Sequence, residues 1–185
     1  NGGSAITSYI VTSSPGGITA SGTASPIMVN GLTNGTAYTF TVRAVNANGS
    51  GAASAASAAV TPATTPGAPT GVTATASNAQ ASVAFSAPAS NGGSAITSYI
   101  VTSSPGGITA SGTASPIMVN GLTNGTAYSF TVQAVNSNGT GAASVASTAV
   151  TPGTTPGAPT GVSATAGNAQ ASVAFTAPAS NGGSA

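Results

Sequence analysis

The sequence predicts an all-β protein built from β-sandwiches in tandem, and three observations support this. The chain repeats with a period of 90 residues, so that Asn1–Tyr38 is identical to Asn91–Tyr128. Short runs alternate apolar and polar residues, as half-buried strands do. Turns rich in Gly, Asn and Pro separate these runs roughly every ten residues, which is the spacing expected of a sandwich.

The one complete repeat unit, about residues 66–152, contains four clear runs with apolar residues at every second position. These residues are Ala81, Val83 and Phe85; Tyr99 and Val101; Ile117 and Val119; and Tyr128, Phe130, Val132 and Ala134. Each run predicts one strand with a buried face and a polar face. Residues 142–150 are rich in alanine, which has weak strand propensity. We predict a strand there from its place in the order.

The composition argues against most kinds of chemistry. Arg43 is the only charged side chain, and the sequence has no Asp, Glu, His, Lys or Cys. General acid–base catalysis and an activated serine both need a titratable partner. Zinc sites need Cys, His or carboxylate ligands, and calcium sites usually use several carboxylates. A single arginine cannot provide the positive surface that nucleic acid requires. We therefore predict no enzyme, no catalytic or metal-binding residue, no cofactor and no nucleic-acid partner.

No apolar run approaches the ~20 residues of a membrane helix, so no membrane span is predicted. The near-zero net charge favours association. Two interpretations remain open for the uncharged surface. It is either a linker surface solvated by Ser, Thr and Asn, or a surface that packs against copies of itself or a cell wall.

Several segments resemble fibronectin type III domains. The run from Leu122 to Tyr128 resembles the tyrosine corner of that family, in which a Leu and a Tyr six residues later flank the turn into strand F. Residues 66–72 are similar to the start of strand A, residues 87–93 to the loop after strand B, and residues 96–101 to strand C. The resemblance covers the whole repeat. It implies seven-stranded, immunoglobulin-like sandwiches of the Ser/Thr/Gly-rich type found in bacterial extracellular proteins.

The resemblance also implies which residues form the core and the tyrosine corner. They are Leu32, Tyr38, Phe40, Phe85, Tyr99, Leu122, Tyr128, Phe130 and Phe175. Phe85 and Phe175 stand where the family usually has a strand B tryptophan, so a modest stability is expected. The loop at residues 136–141 lacks the Arg-Gly-Asp tripeptide of the cell-adhesive members. Integrin binding of that kind is therefore not expected.

The implied strand order divides the chain into three parts. Residues 1–62 form a partial domain with strands C to G but without A and B. Residues 63–152 form a complete domain with its leading linker, and residues 153–185 form a partial domain with strands A and B. The termini of such a domain lie at opposite ends, so the two partial domains are not expected to close on each other within one chain.

A partial domain exposes a sheet edge that invites pairing with another chain. Either the chain is a stretch of a continuous array, which we favour, or separate protomers exchange strands head to tail. In both cases the expected partners are copies of itself, as neighbouring repeats or protomers. The Pro-rich linkers are expected to be semi-rigid spacers in an elongated array.

Isolated polar and apolar residues have plain structural explanations. Arg43 is expected on the outward face of its strand, as a solvated side chain rather than a contact. Met28 and Met118 are also expected to face outward. Four Asn-X-Ser/Thr sequons occur at Asn34, Asn48, Asn124 and Asn138. Turn formation explains them better than glycosylation does, because Asn-Gly suits turns that need a positive φ.

Two functions remain open at this point. The first is a non-catalytic, extracellular structural array that builds or decorates a surface filament, sheath or stalk through packing between repeats. The second is a spacer or adhesion module of a larger secreted enzyme or surface adhesin, with a cell-wall or carbohydrate surface as a possible partner.

Overall fold

The computed structural model describes residues 3–183 and confirms the all-β fold, with every strand pair antiparallel. Residues 3–62, the leading segment, contain β1 (Ile6–Ser14), β2 (Thr19–Gly22), β3 (Thr39–Asn46) and β4 (Gly49–Ser50). These strands form a single sheet in the order β2-β1-β3-β4. No second sheet covers it among the described residues.

Residues 63–152, called the complete domain below, contain two sheets that pack as a sandwich. Its strands are β5 (Thr70–Ser77), β6 (Gln80–Ser86), β7 (Ile96–Ser104), β8 (Thr109–Gly112), β9 (Ile117–Asn120), β10 (Ser129–Asn136) and β11 (Gly139–Thr140). One sheet has the order β5-β6-β9 and the other the order β11-β10-β7-β8. The trailing hairpin, β12 (Thr160–Gly167) and β13 (Gln170–Thr176), forms a separate two-stranded sheet.

The core of the complete domain lies between its two sheets, as the alternating runs predict. Along β10, Phe130, Val132 and Ala134 are completely buried, while the residues between them are partly exposed. The facing sheet contributes Val83 and Val119, which are equally buried. Each such Val or Phe side chain contributes roughly 1.5–3 kcal/mol through its burial. Burial of this apolar layer is the main interaction that holds the two sheets together.

The strand predicted at residues 142–150 is not formed, and this prediction was wrong. The segment instead contacts β10 at every third residue. Ser144 N–H donates to the Val132 carbonyl, and the Val132 N–H donates to the Ser144 hydroxyl, both at 2.9 Å. Ser147 makes the same exchange with Phe130, at 2.9 and 3.1 Å. Because serine hydroxyls replace backbone carbonyls as acceptors, the period is three rather than two.

The leading segment also departs from the expected strand content. Residues 27–30 have the same sequence as β9 but form no strand. In the complete domain β9 pairs with β6, with Val119 opposite Ala81 and Ile117 opposite Val83. No corresponding strand lies beside residues 27–30 among the described residues. The backbone of this segment therefore becomes a strand only where a partner supplies hydrogen bonds.

Within residues 3–183 there is no helix that is long and apolar enough to cross a membrane.

Candidate functional site

Two tyrosines hold equivalent turns, one before β3 and one before β10. The Thr123 N–H donates to the Tyr128 hydroxyl at 3.2 Å, and the Thr33 N–H donates to the Tyr38 hydroxyl at 3.0 Å. Both tyrosines are buried. A donor aimed at the phenol oxygen favours its ionised form, so these backbone N–H groups lower the pKa of Tyr38 and of Tyr128 below the usual value of 10.0.

In the complete domain the same turn also fastens the β5–β6 hairpin. Asn124 Oδ1 accepts the Ala79 N–H at 2.8 Å, and Asn124 Nδ2 donates to Asn78 Oδ1 at 2.8 Å. The Leu122 N–H donates to the Ala79 carbonyl at 3.0 Å. Ala79 has a φ of 55°, which is uncommon for a residue with a Cβ. The sequence does not predict this turn, because Asn-Ala is a weaker turn signal than Asn-Gly.

The first joint, residues 61–69, is bonded to the segments on both sides of it. The Gly35 N–H of the leading segment donates to the Pro62 carbonyl at 2.9 Å. The Thr64 N–H donates to the Gly92 carbonyl of the complete domain at 2.8 Å. Asn136 Nδ2 donates to the Thr64 carbonyl, also at 2.8 Å. The joint is therefore part of the folded structure rather than a free tether.

Glycine allows two loops to meet directly beside this joint. Gly93 has a φ of +86°, and a Cβ placed on it would collide with the backbone nitrogen of Gly35. A Cβ on Gly92 would collide with the Thr64 carbonyl oxygen. The backbone of the leading segment thus touches the loop before β7, at a separation that only glycine permits.

The second joint, residues 151–159, repeats the arrangement 90 residues later. The Gly125 N–H donates to the Pro152 carbonyl at 2.9 Å, and the Thr154 N–H donates to the Gly182 carbonyl at 2.7 Å. A Cβ on Gly183 would lie 2.6 Å from the Gly125 nitrogen. Both joints therefore share these two backbone hydrogen bonds and the same glycine contact.

An open groove runs along the uncovered face of the leading segment. Its volume is about 860 Å³. Mostly apolar residues line it: Tyr9, Val11, Ile27, Val29, Leu32, Phe40 and Val42, with Pro26 and small residues at one end. Val42 is 37% exposed, whereas Val132, which corresponds to it in the complete domain, is fully buried. The groove is the half-core that β5 and β6 cover in the complete domain.

A second pocket of about 420 Å³ lies at the end of the same sheet, around Ala44, Asn46 and Gly51. In the complete domain the corresponding position is filled by the first joint. A Cβ on Gly141 would collide with the Pro66 carbonyl oxygen, and one on Gly139 would lie 3.5 Å from the Thr65 methyl group. The two pockets together therefore mark the place of one continuous segment, a linker followed by a hairpin.

The structure brings five of the predicted core residues together in the complete domain. Leu122, Tyr128, Phe130 and Tyr99 are buried in one cluster, and Phe85 packs against it with its ring centre 4.7 Å from that of Tyr99.

The other predicted core residues have different surroundings. In the leading segment Tyr38 is buried, while Leu32 and Phe40 line the open groove. Phe175 lies on the trailing hairpin and is 63% exposed. The predicted set is therefore divided between one closed core and two sheets whose apolar residues are largely uncovered.

The sequon asparagines lie in turns. Asn34 and Asn48 are exposed, Asn138 donates its N–H to Asn136 Oδ1 at 2.8 Å, and the Asn124 side chain is bonded as described above. Glycosylation stays a prediction.

The residues expected to face outward are exposed or partly exposed. Arg43 is exposed and donates from Nη1 to the Gly51 carbonyl at 3.0 Å. Gln133, at the matching position, makes the same bond to Gly141 at 2.9 Å. Met28 and Met118 are also exposed.

Several solved structures are similar to the chain. One contains the titin kinase and its flanking domains, with 29% identity over 49% of this chain and 18% of that one, at a TM-score of 0.45. A structure of titin domains has 22% identity over 77% of this chain and 54% of that one, at 0.49. The FN1–FN3 domains of chicken CNTN1 have 19% identity over 78% and 55%, at 0.43. The chain thus spans less than a fifth of the length of the first structure and about half the length of the other two.

No curated protein matches the sequence. The family model of the fibronectin type III domain matches residues 1–60 and again residues 67–150. These two matches cover well over half of the chain and follow its 90-residue repeat. The chain belongs to the fibronectin type III domain family.

Proposed function

We propose that the chain is a non-catalytic structural array, which builds or decorates an extracellular filament, sheath or stalk through packing between its repeats. Fibronectin type III repeats are structural or adhesive modules, and this chain consists of them. Its side chains include a single charge and none of the carboxylates and imidazoles that usually serve in acid–base catalysis. The role is therefore carried by the backbone and by the surfaces between repeats.

The repetition of the joint is the observation that carries this proposal. Three backbone hydrogen bonds at the first joint recur 90 residues later at the second joint. At the first joint the N–H groups of Gly35, Thr64 and Gly67 donate to the carbonyls of Pro62, Gly92 and Ser90. At the second joint those of Gly125, Thr154 and Gly157 donate to the carbonyls of Pro152, Gly182 and Ser180. A linker bonded on both sides limits rotation between neighbours. Repeated in the same form, such joints would give an array a regular, extended course.

An exterior location is part of the proposal. The surface carries Ser, Thr and Asn rather than charges, so changes in salt and pH would affect it little. The partners that we propose are further copies of the repeat, with a cell-wall or carbohydrate surface as a second class. Fractionation of the source cells, with an antibody against the complete domain, would test the location. Recovery from the cytosol alone would contradict it.

Electron microscopy of an array of these repeats tests the function. We expect straight, regularly spaced fibres or rods of constant width. Flexible strings of independent beads would contradict the proposal. Monodisperse single rods attached to a folded globular domain would instead favour the second function, a spacer or adhesion module of a larger secreted protein.

A further inference from the structure

We propose that Asn120 and its copy Asn30 are sites of spontaneous deamidation, and that the joints protect Asn124 and Asn34 from the same reaction. Each of these four asparagines precedes a glycine, which has no Cβ to hinder the reaction. Asparagine is among the least durable residues in proteins. The inference goes beyond the proposed function, because it concerns covalent chemistry of the chain and not its assembly.

Deamidation needs only the two residues of an Asn-Gly pair and water. The backbone nitrogen of the glycine, after losing its proton to hydroxide, attacks Cγ of the asparagine. The bond from this nitrogen to Cγ forms and the bond from Cγ to Nδ2 breaks, while Nδ2 takes a proton from water and leaves as ammonia. Water then opens the succinimide ring at either carbonyl and gives aspartate or isoaspartate. A hydrogen bond that holds the glycine N–H opposes the first step, because the N–H must leave its acceptor before the nitrogen can attack.

In the complete domain both reacting groups of the Asn124 pair are held. The Gly125 N–H donates to the Pro152 carbonyl at 2.9 Å. The side-chain amide is fixed as well, because Asn124 Oδ1 accepts the Ala79 N–H and Asn124 Nδ2 donates to Asn78 Oδ1, both at 2.8 Å. Ring closure would have to break these three hydrogen bonds.

The matching glycine of the leading segment is held by the first joint. The Gly35 N–H donates to the Pro62 carbonyl at 2.9 Å, the same bond that the second joint makes 90 residues later. The joints therefore withhold the attacking nitrogen from Asn34 as well as from Asn124. Protection of these two asparagines follows from the same contacts that connect neighbouring repeats.

Two other Asn-Gly pairs of the complete domain are also restrained. Gly92 is buried, and its N–H donates to the Ser90 hydroxyl at 3.1 Å. Gly139 is the first residue of β11 and pairs with Asn136 of β10. In each case the glycine that would attack is fixed by a neighbouring group.

The Asn120 pair has neither restraint. Asn120 is the last residue of β9, and both it and Gly121 are exposed. Within residues 3–183, neither the Asn120 side chain nor the Gly121 N–H has a hydrogen-bond partner. Gly121 has a φ of +78° and open space where a Cβ would lie, so nothing crowds the ring that must form. Asn30 and Gly31 are likewise exposed, and the surroundings of Gly31 are equally open.

Deamidation would introduce carboxylate side chains into a sequence that has none. One event at each of the two sites changes the formal net charge from +1 to −1. At position 120 the new charge lies at the end of the β6–β9 ladder, opposite Gln80. Isoaspartate also lengthens the main chain by one methylene, so this last pair should loosen. Surfaces that carry the same charge would repel each other, which opposes association between copies.

Peptide mapping of the full chain, incubated folded in mildly alkaline buffer, tests the proposal. Chymotryptic cleavage after Leu32 and Leu122 separates the exposed asparagines from the protected ones, and mass spectrometry then measures deamidation on each peptide. Because the two copies have the same sequence, the map reports Asn30 with Asn120 and Asn34 with Asn124. Asn30 and Asn120 should react faster by a factor of about ten or more, since the hydrogen bonds at the other pair must open first.

Two controls separate the effect of the fold from that of the sequence. In denaturant, where the joints are absent, the two pairs of asparagines should react at similar rates. Asn30→Gln combined with Asn120→Gln keeps both amides but disfavours the ring, so the acidic species that form first on ion exchange should disappear. The proposal is overturned if the folded chain deamidates both pairs at equal rates, if Asn34 and Asn124 react faster, or if Asn30 and Asn120 stay intact while the denatured chain reacts.

Discussion

At the scale of single residues, the chain places identical side chains in different environments. Phe130 is fully buried between two sheets, while Phe40, at the matching position, lines an uncovered groove. The contribution of each phenylalanine to stability therefore depends on its burial and not on its residue type. The repeat makes this comparison unusually direct, because the surrounding sequence is nearly the same.

Phe130→Ala should lower the free energy of unfolding of the complete domain by about 3–5 kcal/mol, through lost burial and the cavity left behind. Phe40→Ala should leave that transition unchanged, because Phe40 belongs to a different sheet. Chemical denaturation of both variants, followed by circular dichroism, measures the difference. Similar effects of the two substitutions would contradict the described core.

The two corner tyrosines predict an unusual response to pH. Their pKa is lowered in the folded state, so folding favours the ionised phenol. This contribution is absent below the folded pKa, grows as the pH rises through it, and is complete above the unfolded value. With no carboxylate or imidazole side chain to titrate, stability should be flat from about pH 4 to about pH 8 and rise as the pH approaches about 10.

Denaturation midpoints measured across this range test the prediction. In the complete domain Tyr128→Phe should abolish the alkaline rise, because it removes the titrating hydroxyl. A loss of stability between neutral and alkaline pH would show that the Thr123 N–H does not favour the phenolate.

At the scale of elements, the joints depend on glycines that combine a positive φ with close backbone contact. Gly93→Ala should force the loop before β7 away from Gly35 and loosen the first joint. Gly121→Ala is the matched control, since Gly121 has a φ of +78° but open space around a Cβ. Both variants should lose roughly 1–2 kcal/mol of domain stability from backbone strain.

Only Gly93→Ala should broaden the distribution of interdomain distances in small-angle scattering, recorded where the chain is monomeric. Equal scattering curves for the two variants would indicate that the glycine contact does not restrain the joint.

The sequence predicted strands correctly where apolar residues alternate with a period of two. The prediction failed where side-chain hydrogen bonds or the presence of a partner strand determine the backbone conformation. The pattern from Tyr128 to Ala134 identified β10 because each alternate side chain enters the core. The predicted strand at residues 142–150 is wrong because Ser144 and Ser147 bond to β10 through their hydroxyls, which gives a period of three. The pattern at residues 27–30 does not produce a strand because a strand also needs a partner, which no local pattern reveals. The prolines predict semi-rigid joints. The glycine contacts could not be predicted, because they join loops that meet only in the folded structure.

At the scale of the whole molecule, the two joints determine how successive repeats follow one another. The same three backbone hydrogen bonds occur at each joint, 90 residues apart. An array made of further copies of the repeat would therefore have the same geometry at every joint.

The identity of Asn1–Tyr38 with Asn91–Tyr128 also has a consequence for spectroscopy. The amide of Val29 lies in a segment that forms no strand and that of Val119 in a strand, so nuclear magnetic resonance should give two sets of signals for one sequence. Hydrogen exchange should be fast at residues 27–30 and slow at residues 117–120, because only the latter pair with a neighbouring strand. Equal exchange rates at the two positions would contradict the described difference.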